Sequence, residues 1–251
     1  MRNVKALGKK IADALLAPLG LGLVQRGVAH FPEAEPADAA LVEKFQPYTM
    51  TDPHRMWTLL RAVDYIDAQG LAGDIVECGV WRGGNLMLAK ERRKGRDIPR
   101  KIYGFDTFEG FTEPTDVDVN TDGRSAVALY RVDDPDIRRV RASLQEVTDN
   151  LRRVSLFGDD IVLRKGRVEE TLVGDDIPEN IALLRLDTDW YQSTKVELEV
   201  LYPRLVQGGV LILDDYGSWL GSKKAVDDYF ADKVAPLLIP VTRICRMAIK
   251  V

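Results

Sequence analysis

Ile181-Ala182-Leu183-Leu184-Arg185-Leu186 runs straight into Asp187-Thr188-Asp189, and Gly209-Val210-Leu211-Ile212-Leu213 runs into Asp214-Asp215. Apolar runs this short read as strands of a parallel sheet buried on both faces. Ligands of an open α/β sheet bind outside the carboxyl ends of its strands, so both aspartate pairs fall where a site forms. Four carboxylates gathered there would repel one another and raise each other's pKa unless a cation neutralised them. A divalent metal meets that need, and oxygen-only ligands favour a hard ion such as Mg²⁺ over zinc. The reading fails if the acids point apart, or if arginine neutralises them in buried ion pairs.

Outward from these strands the chain alternates strand and helix. Asp52 as N-cap and Pro53 at the first helical position open a helix over 52–69, with Met56, Leu59, Leu60, Val63 and Ile66 as its apolar stripe. Ile75-Val76-Glu77-Cys78 reads as the first strand and 84–92 as a helix. Lys101-Ile102-Tyr103-Gly104-Phe105 reads as the second strand, ending at Asp106. The polar stretch 107–134 has few helix or strand signals, and loops of that length are usually functional. A helix over 136–151, a third strand at Ile161-Val162-Leu163-Arg164, helices over 193–205 and 223–233, and strands near 237–241 and 243–250 complete the pattern. The alternation predicts an α/β fold with a parallel sheet covered on both faces.

A chain of 251 residues with 45% hydrophobic content can bury one full α/β core. Its net charge of −4 and lack of a basic stripe argue against a nucleic-acid partner. Glu91-Arg92-Arg93-Lys94 and Arg138-Arg139 sit in helical patterns and read as solvated faces. Two cysteines, Cys78 and Cys245, make no disulfide framework and read as small buried hydrophobes. With two histidines and no Cys-x-x-Cys pair a zinc site is not expected, and the expected compartment is reducing cytoplasm. Arg2, Lys5, Lys9 and Lys10 precede an apolar run over 12–24 that superficially resembles a signal peptide. Asp13 and Pro18 interrupt that run, and it is too short to span a bilayer. We read residues 1–45 as a helical extension, lid or oligomer contact, pointing to a homo-oligomer, and 46–251 as the catalytic domain.

Glu77-Cys78-Gly79-Val80-Trp81-Arg82-Gly83-Gly84 follows the first strand and opens a helix, so a nucleoside-bearing cofactor fits over it. The spacing departs from Gly-x-Gly-x-x-Gly, and a carboxylate at the strand tip opposes a pyrophosphate. Asp106, ending the second strand, is placed to accept hydrogen bonds from ribose hydroxyls. An acid and no phosphate cradle favour S-adenosylmethionine over NAD. The alternatives are tight strand-to-helix packing for the glycines and a helix cap for Asp106.

At these residues the chain resembles the macrocin O-methyltransferase (TylF-like) family, which methylates hydroxyls on sugars of macrolides and related metabolites. The stretches that carry the resemblance are 73–84, Gly104-Phe105-Asp106-Thr107-Phe108-Glu109-Gly110-Phe111, 184–194, Leu201-Tyr202-Pro203-Arg204-Leu205 and 208–216. The resemblance implies a class I methyltransferase (Rossmann-like) three-layer sandwich. Its sheet would have seven strands, mostly parallel, with an antiparallel strand near one edge. It also implies S-adenosylmethionine as methyl donor and Mg²⁺ dependence. By motif position Asp187, Asp214 and Asp215 would hold the metal. Glu77, Gly79 and Asp106 would contact the cofactor, with Arg82, Gly83 and Phe108 nearby and Gly166 at the adenine end. Acceptor choice is expected in the 112–134 loop.

The expected reaction is methyl transfer to a hydroxyl of a sugar or sugar-bearing small molecule, with Asp187 or Asp189 taking the proton. Each acid also has a plain alternative: Asp214-Asp215 as a cap of the next helix, Asp189 as an acid offsetting a helix dipole. His54 reads as a packing residue rather than a base, while Trp190 and Tyr191 could wall the acceptor pocket or pack in the core. A metal-dependent glycosyltransferase using Asp187-Thr188-Asp189 as an Asp-x-Asp motif is the rival function, though it leaves Glu77, the glycine turn and Asp214-Asp215 unexplained.

Overall fold

The computed structural model describes residues 31–174 and 177–251. The 12–24 apolar run, and any role in self-association, lies outside them. Helix α1 (Pro36–Phe45) precedes α2 (Pro53–Ala68), and then strand and helix alternate: β1 (Asp74–Cys78), α3 (Gly84–Arg92), β2 (Ile102–Asp106). Two short helices, α4 (Ala126–Arg131) and α5 (Pro135–Arg138), lead to α6 (Leu144–Arg153), β3 (Ile161–Lys165) and α7 (Val168–Thr171). The chain ends with β4 (Ile181–Leu186), α8 (Tyr191–Leu201), β5 (Leu205–Leu213), α9 (Leu220–Phe230), β6 (Ile239–Pro240) and β7 (Arg246–Ile249).

The strands form one seven-stranded sheet in the order β3-β2-β1-β4-β5-β7-β6. The first five pair in parallel, and β7 runs antiparallel to both its neighbours. This is the architecture the family resemblance implied. Neighbouring residues of one strand enter opposite cores. Ile75, Leu183 and Ile212 join a cluster with Phe45, Met56 and Leu86. Val76, Leu184 and Leu211 join the cluster with Leu198, Leu201 and Val226. Burial on both faces is why these strands lack polar alternation.

Asp52 caps α2 as expected, accepting from His54 N and Arg55 N at 2.9 and 3.1 Å. Three local expectations need correction. The helix expected over 136–151 is two helices, α5 and α6, because Ser143 turns the chain and caps α6 by accepting from Glu146 N at 3.1 Å. Arg92 and Arg93 are not solvated. They form ion pairs with Asp64 and Asp67 at 2.6 and 3.0 Å, fastening α3 to α2. The closing strands are shorter than expected, and Cys245 lies just before β7, buried like Cys78.

Candidate active site

The sheet reverses its strand order between β1 and β4, and its hydrogen bonds continue past the strand ends there. Gly166 N donates to Asp106 O, Gly79 N to Phe105 O, Asp187 N to Cys78 O and Asp214 N to Leu186 O, all at 2.9–3.0 Å. The tips of β3, β2, β1, β4 and β5 are thereby set side by side. Gly79 has a φ of 88°, and a Cβ there would lie 2.0 Å from the Asp187 carbonyl oxygen. No side chain fits, so the glycine turn can lie directly against the acidic loop.

Strand register then mixes charges that the sequence keeps far apart. Glu77 and Arg185 are paired residues on adjacent strands, and Arg185 Nη1 donates to Glu77 Oε1 at 2.7 Å. The same guanidinium reaches Asp187 Oδ2 at 2.8 Å and lies 3.1 Å from Asp214 Oδ1. Thr51 Oγ1 accepts from Arg185 Nη2, and Asn85 Nδ2 donates to Glu77 Oε1. Arg55, on the first turn of α2, pairs with Asp214 Oδ2 and with Asp52.

The expected carboxylates converge. Single oxygens of Asp187, Asp214 and Asp215 lie within 4.8 Å of one another. Asp189 joins them through its backbone N–H, which donates to Asp215 Oδ2 at 3.2 Å. Arginine pairing is only partial. Glu77, Asp187, Asp189, Asp214 and Asp215 set five carboxylates against the two guanidiniums of Arg55 and Arg185. Among the described residues neither Asp189 nor Asp215 forms an ion pair.

The uncompensated charge is visible in proton affinity. Burial, then the neighbouring carboxylates, push Asp189 and Asp215 well above the usual carboxylate range. Asp187 is raised by burial and by Asp214 and Asp215, although Arg185 opposes. Glu77 is pushed up to about 7, mainly by burial, against Arg185 and Asn85. Asp214 Oδ1 and Glu77 Oε2 are buried and accept no well-directed hydrogen bond. Three carboxylates whose oxygens cluster this closely, with Asp215 in no ion pair among the described residues, fit a hard divalent cation.

One cavity of about 360 Å³ joins the acids to the glycine turn, its walls including Gly79, Asp106, Gly166, Asp187, Asp189 and Asp215. Asp106 turns inward: its carboxylate accepts from Val80 N, Trp81 N and Phe108 N at 2.7–3.0 Å, binding the glycine turn to the loop after β2. Four expected cofactor residues are not in the cavity wall. Glu77 is held by Arg185 and Asn85, Arg82 pairs with Glu146 at 2.6 Å, Gly83 precedes α3 and Phe108 is buried. His54 packs edge-on against Phe31, and Trp190 is buried between Phe111 and Trp219. Asp214 and Asp215 do not cap α9, which begins at Leu220 after an N-cap, Trp219, with no side-chain bond.

The family model described as Macrocin-O-methyltransferase (TylF) matches residues 32–249. The chain belongs to this family. The match begins ahead of the boundary expected at residue 46, and α1 packs into the shared core through Val42 and Phe45. A Streptomyces olivaceus relative is 35% identical over 203 residues, 78% of this chain and 74% of the relative. It is an 8-demethyl-8-(2,3-dimethoxy-alpha-L-rhamnosyl)-tetracenomycin-C 4'-O-methyltransferase. The demethyldecarbamoylnovobiocin O-methyltransferase of Streptomyces niveus is 32% identical, covering 78% of this chain and 73% of its own. The solved structure of the O-methyltransferase NovP superposes with a TM-score of 0.70 at 29% identity, over 81% of this chain and 82% of that one. This family member is thus an O-methyltransferase, and the glycosyltransferase alternative finds no support. Among the described residues no helix is long and apolar enough to cross a membrane.

Sequence reading missed Arg55, Arg185, Thr51 and Asn85. Arg185 did leave a signal, as the one charge in an otherwise apolar strand.

Proposed function

We propose that this protein transfers a methyl group from S-adenosylmethionine to a hydroxyl of a sugar-bearing small molecule, assisted by Mg²⁺. The observation that carries the reading is the convergence of Asp187, Asp214 and Asp215 beside the glycine turn in one cavity. Of the relatives named above, one acts on a rhamnosyl-tetracenomycin, which supports a glycosylated acceptor, and the other on demethyldecarbamoylnovobiocin.

Asp187, Asp214 and Asp215 would hold the metal, and Gly79, Asp106 and Gly166 would line the donor's half of the cavity. Glu77, Arg82, Gly83 and Phe108 would support that half from behind. The chemistry a Mg²⁺ ion held there would supply is a positive charge that makes a nearby acceptor hydroxyl more acidic. Asp189 is the better base of the two expected: Arg185 engages Asp187, whereas Asp189 forms no ion pair among the described residues and lies in the cavity wall. Its carboxylate would accept the hydroxyl proton as the oxygen attacks the methyl carbon and the S–CH3 bond breaks, its electron pair staying on sulfur so that S-adenosylhomocysteine leaves. The turn and the acids hold the two reactants in line, the largest contribution a rigid cavity makes to such a displacement.

The test is Asp215→Asn, assayed with purified protein, S-adenosylmethionine, Mg²⁺ and a panel of glycosylated acceptors by mass spectrometry. Metal-stimulated methylation should fall by about a hundredfold or more while calorimetric donor affinity stays nearly intact. Unchanged turnover in that variant would remove the metal site from the mechanism.

A further inference from the structure

The acceptor side of the cavity is walled by a loop, 112–125, that contributes Thr112, Asn120 and Arg124. At its centre Asp118 is 1% exposed and lies outside the cavity wall. Its Oδ2 accepts from Thr115 N and Thr115 Oγ1 at 2.8 and 3.0 Å, and its carbonyl accepts from Ala126 N at 2.8 Å, closing the loop. Its Oδ1 does something different: it accepts from Tyr191 N, the first residue of α8, at 2.8 Å. The residue that should cap this helix, Trp190, has no side-chain acceptor. An acid more than seventy positions away (118 against 191) therefore fills the N-cap role.

Space for that carboxylate is reserved on α9, where a Cβ on Gly221 would lie 2.0 Å from Asp118 Oδ1. Loop, α8 and α9 thus meet at one side chain. A second seam runs alongside. Leu220 N donates to Val119 O at 2.8 Å and Thr121 N to Ser218 O at 3.1 Å, tying the loop to the segment after Asp214-Asp215. The turn capped by Asp118 holds Asp189 at φ 68°, a left-handed conformation that a non-glycine residue keeps only when its surroundings enforce it.

We infer that Asp118 is a positioning residue, coupling the acceptor loop to the 187–191 turn so that acceptor docking and the placement of Asp189 are set together. The catalytic half of this inference rests on the function proposed above; the mechanical half does not.

Hydrogen exchange of the full chain tests the mechanical half with no substrate present. In Asp118→Ala, amides of 112–125 and of 187–191 should exchange faster together, Tyr191 by roughly 10- to 100-fold, with the β1–α3 turn unchanged. Asp118→Asn, which keeps a carbonyl acceptor for Tyr191 N, should fall between. With an acceptor that the wild type methylates, Asp118→Ala should raise acceptor KM by about tenfold or more and leave donor affinity within about twofold. Faster exchange confined to the loop, or donor affinity falling in step with acceptor KM, would overturn the inference. Should Asp118→Ala fail to fold, Gly221→Ala displaces the same carboxylate and is read by the same two measurements. Because the exchange readout needs no acceptor, it decides the coupling even where the acceptor class proves wrong.

Discussion

Glu197 offers the sharpest test of how this core manages charge. It sits among the apolar contacts of α8 with 0% exposure, where a leucine would be ordinary. Thr188 Oγ1 lies 3.0 and 3.2 Å from its two carboxylate oxygens, so one hydroxyl serves both. Burial pushes its pKa from the ordinary 4.5 up to about 8, with the Thr188 hydrogen bond opposing and Glu169 adding to the rise. Between those two values the folded chain keeps a proton that the unfolded chain has released, so stability falls as pH rises. The contribution is complete below about 4.5 and lost as pH passes about 8. The rise from 4.5 to about 8, at about 1.4 kcal/mol per pKa unit, sets an upper bound on the order of 5 kcal/mol. Relaxation and water entry on ionisation reduce it, and about 2 kcal/mol is the expected effect. Glu197→Gln keeps an acceptor for Thr188 and cannot ionise. Urea unfolding near pH 5 should find the two proteins nearly equal. Near pH 8.5 the variant should be more stable by about 2 kcal/mol, a rise in Tm of roughly 4–8 °C. Parallel pH profiles, or a variant less stable at the higher pH, would refute the argument.

Two further outcomes follow from the same geometry. Arg185→Met strips Glu77, Asp187 and Asp214 of their shared counter-charge, so urea unfolding should show a loss of about 3–5 kcal/mol. Mg²⁺ at about a hundred times its Kd should return up to about 2.7 kcal/mol of that loss. Asp106→Ala frees the Val80, Trp81 and Phe108 amides and should weaken donor binding by about tenfold or more in calorimetry, with Mg²⁺ affinity little changed.

How much of this was legible in the sequence depended on whether a signal was local. Apolar strands ending in aspartates identified the sheet and the edge where a site forms, because burial on both faces removes polar alternation over a few consecutive residues. Asp52 and Pro53 marked the start of α2 for the same reason: a cap is a short-range event. The polar 107–134 stretch hides the short helix α4, whose cap at Ser125 was the one local signal, while the rest of its order comes from Asp118 reaching Tyr191 and from backbone bonds to 218–220, none of them readable by spacing. The break between α5 and α6 was missed although Ser143 and Glu146 signal a cap, because the apolar periodicity on either side ran on without a visible interruption. Charge partners were hardest to foresee. Arg92 and Arg93 look like a solvated run until α2 presents Asp64 and Asp67 to them.

Arginine in an acidic cluster and a metal call on the same negative charge, and geometry separates the two roles. Arg185 is fixed by strand register, 2% exposed and bound to Glu77 and Thr51 as well as to the aspartates. It sets where Asp187 and Asp214 point, and removing it would scatter them. Arg55 instead comes from a helix end in the cavity wall and neutralises Asp214 from the open side. Two guanidiniums against five carboxylates leave three net negative charges, too many to bury at neutral pH without proton uptake or a cation. A divalent ion removes two of those charges, and a donor with a single net positive charge removes the third. Asp214 faces both guanidiniums and would have most to exchange on binding the proposed metal, whereas Asp215 forms no ion pair among the described residues. In the proposed metal site, asymmetry of this kind would favour moderate over tight structural binding, as would suit an ion that holds a substrate oxygen and must let the product go.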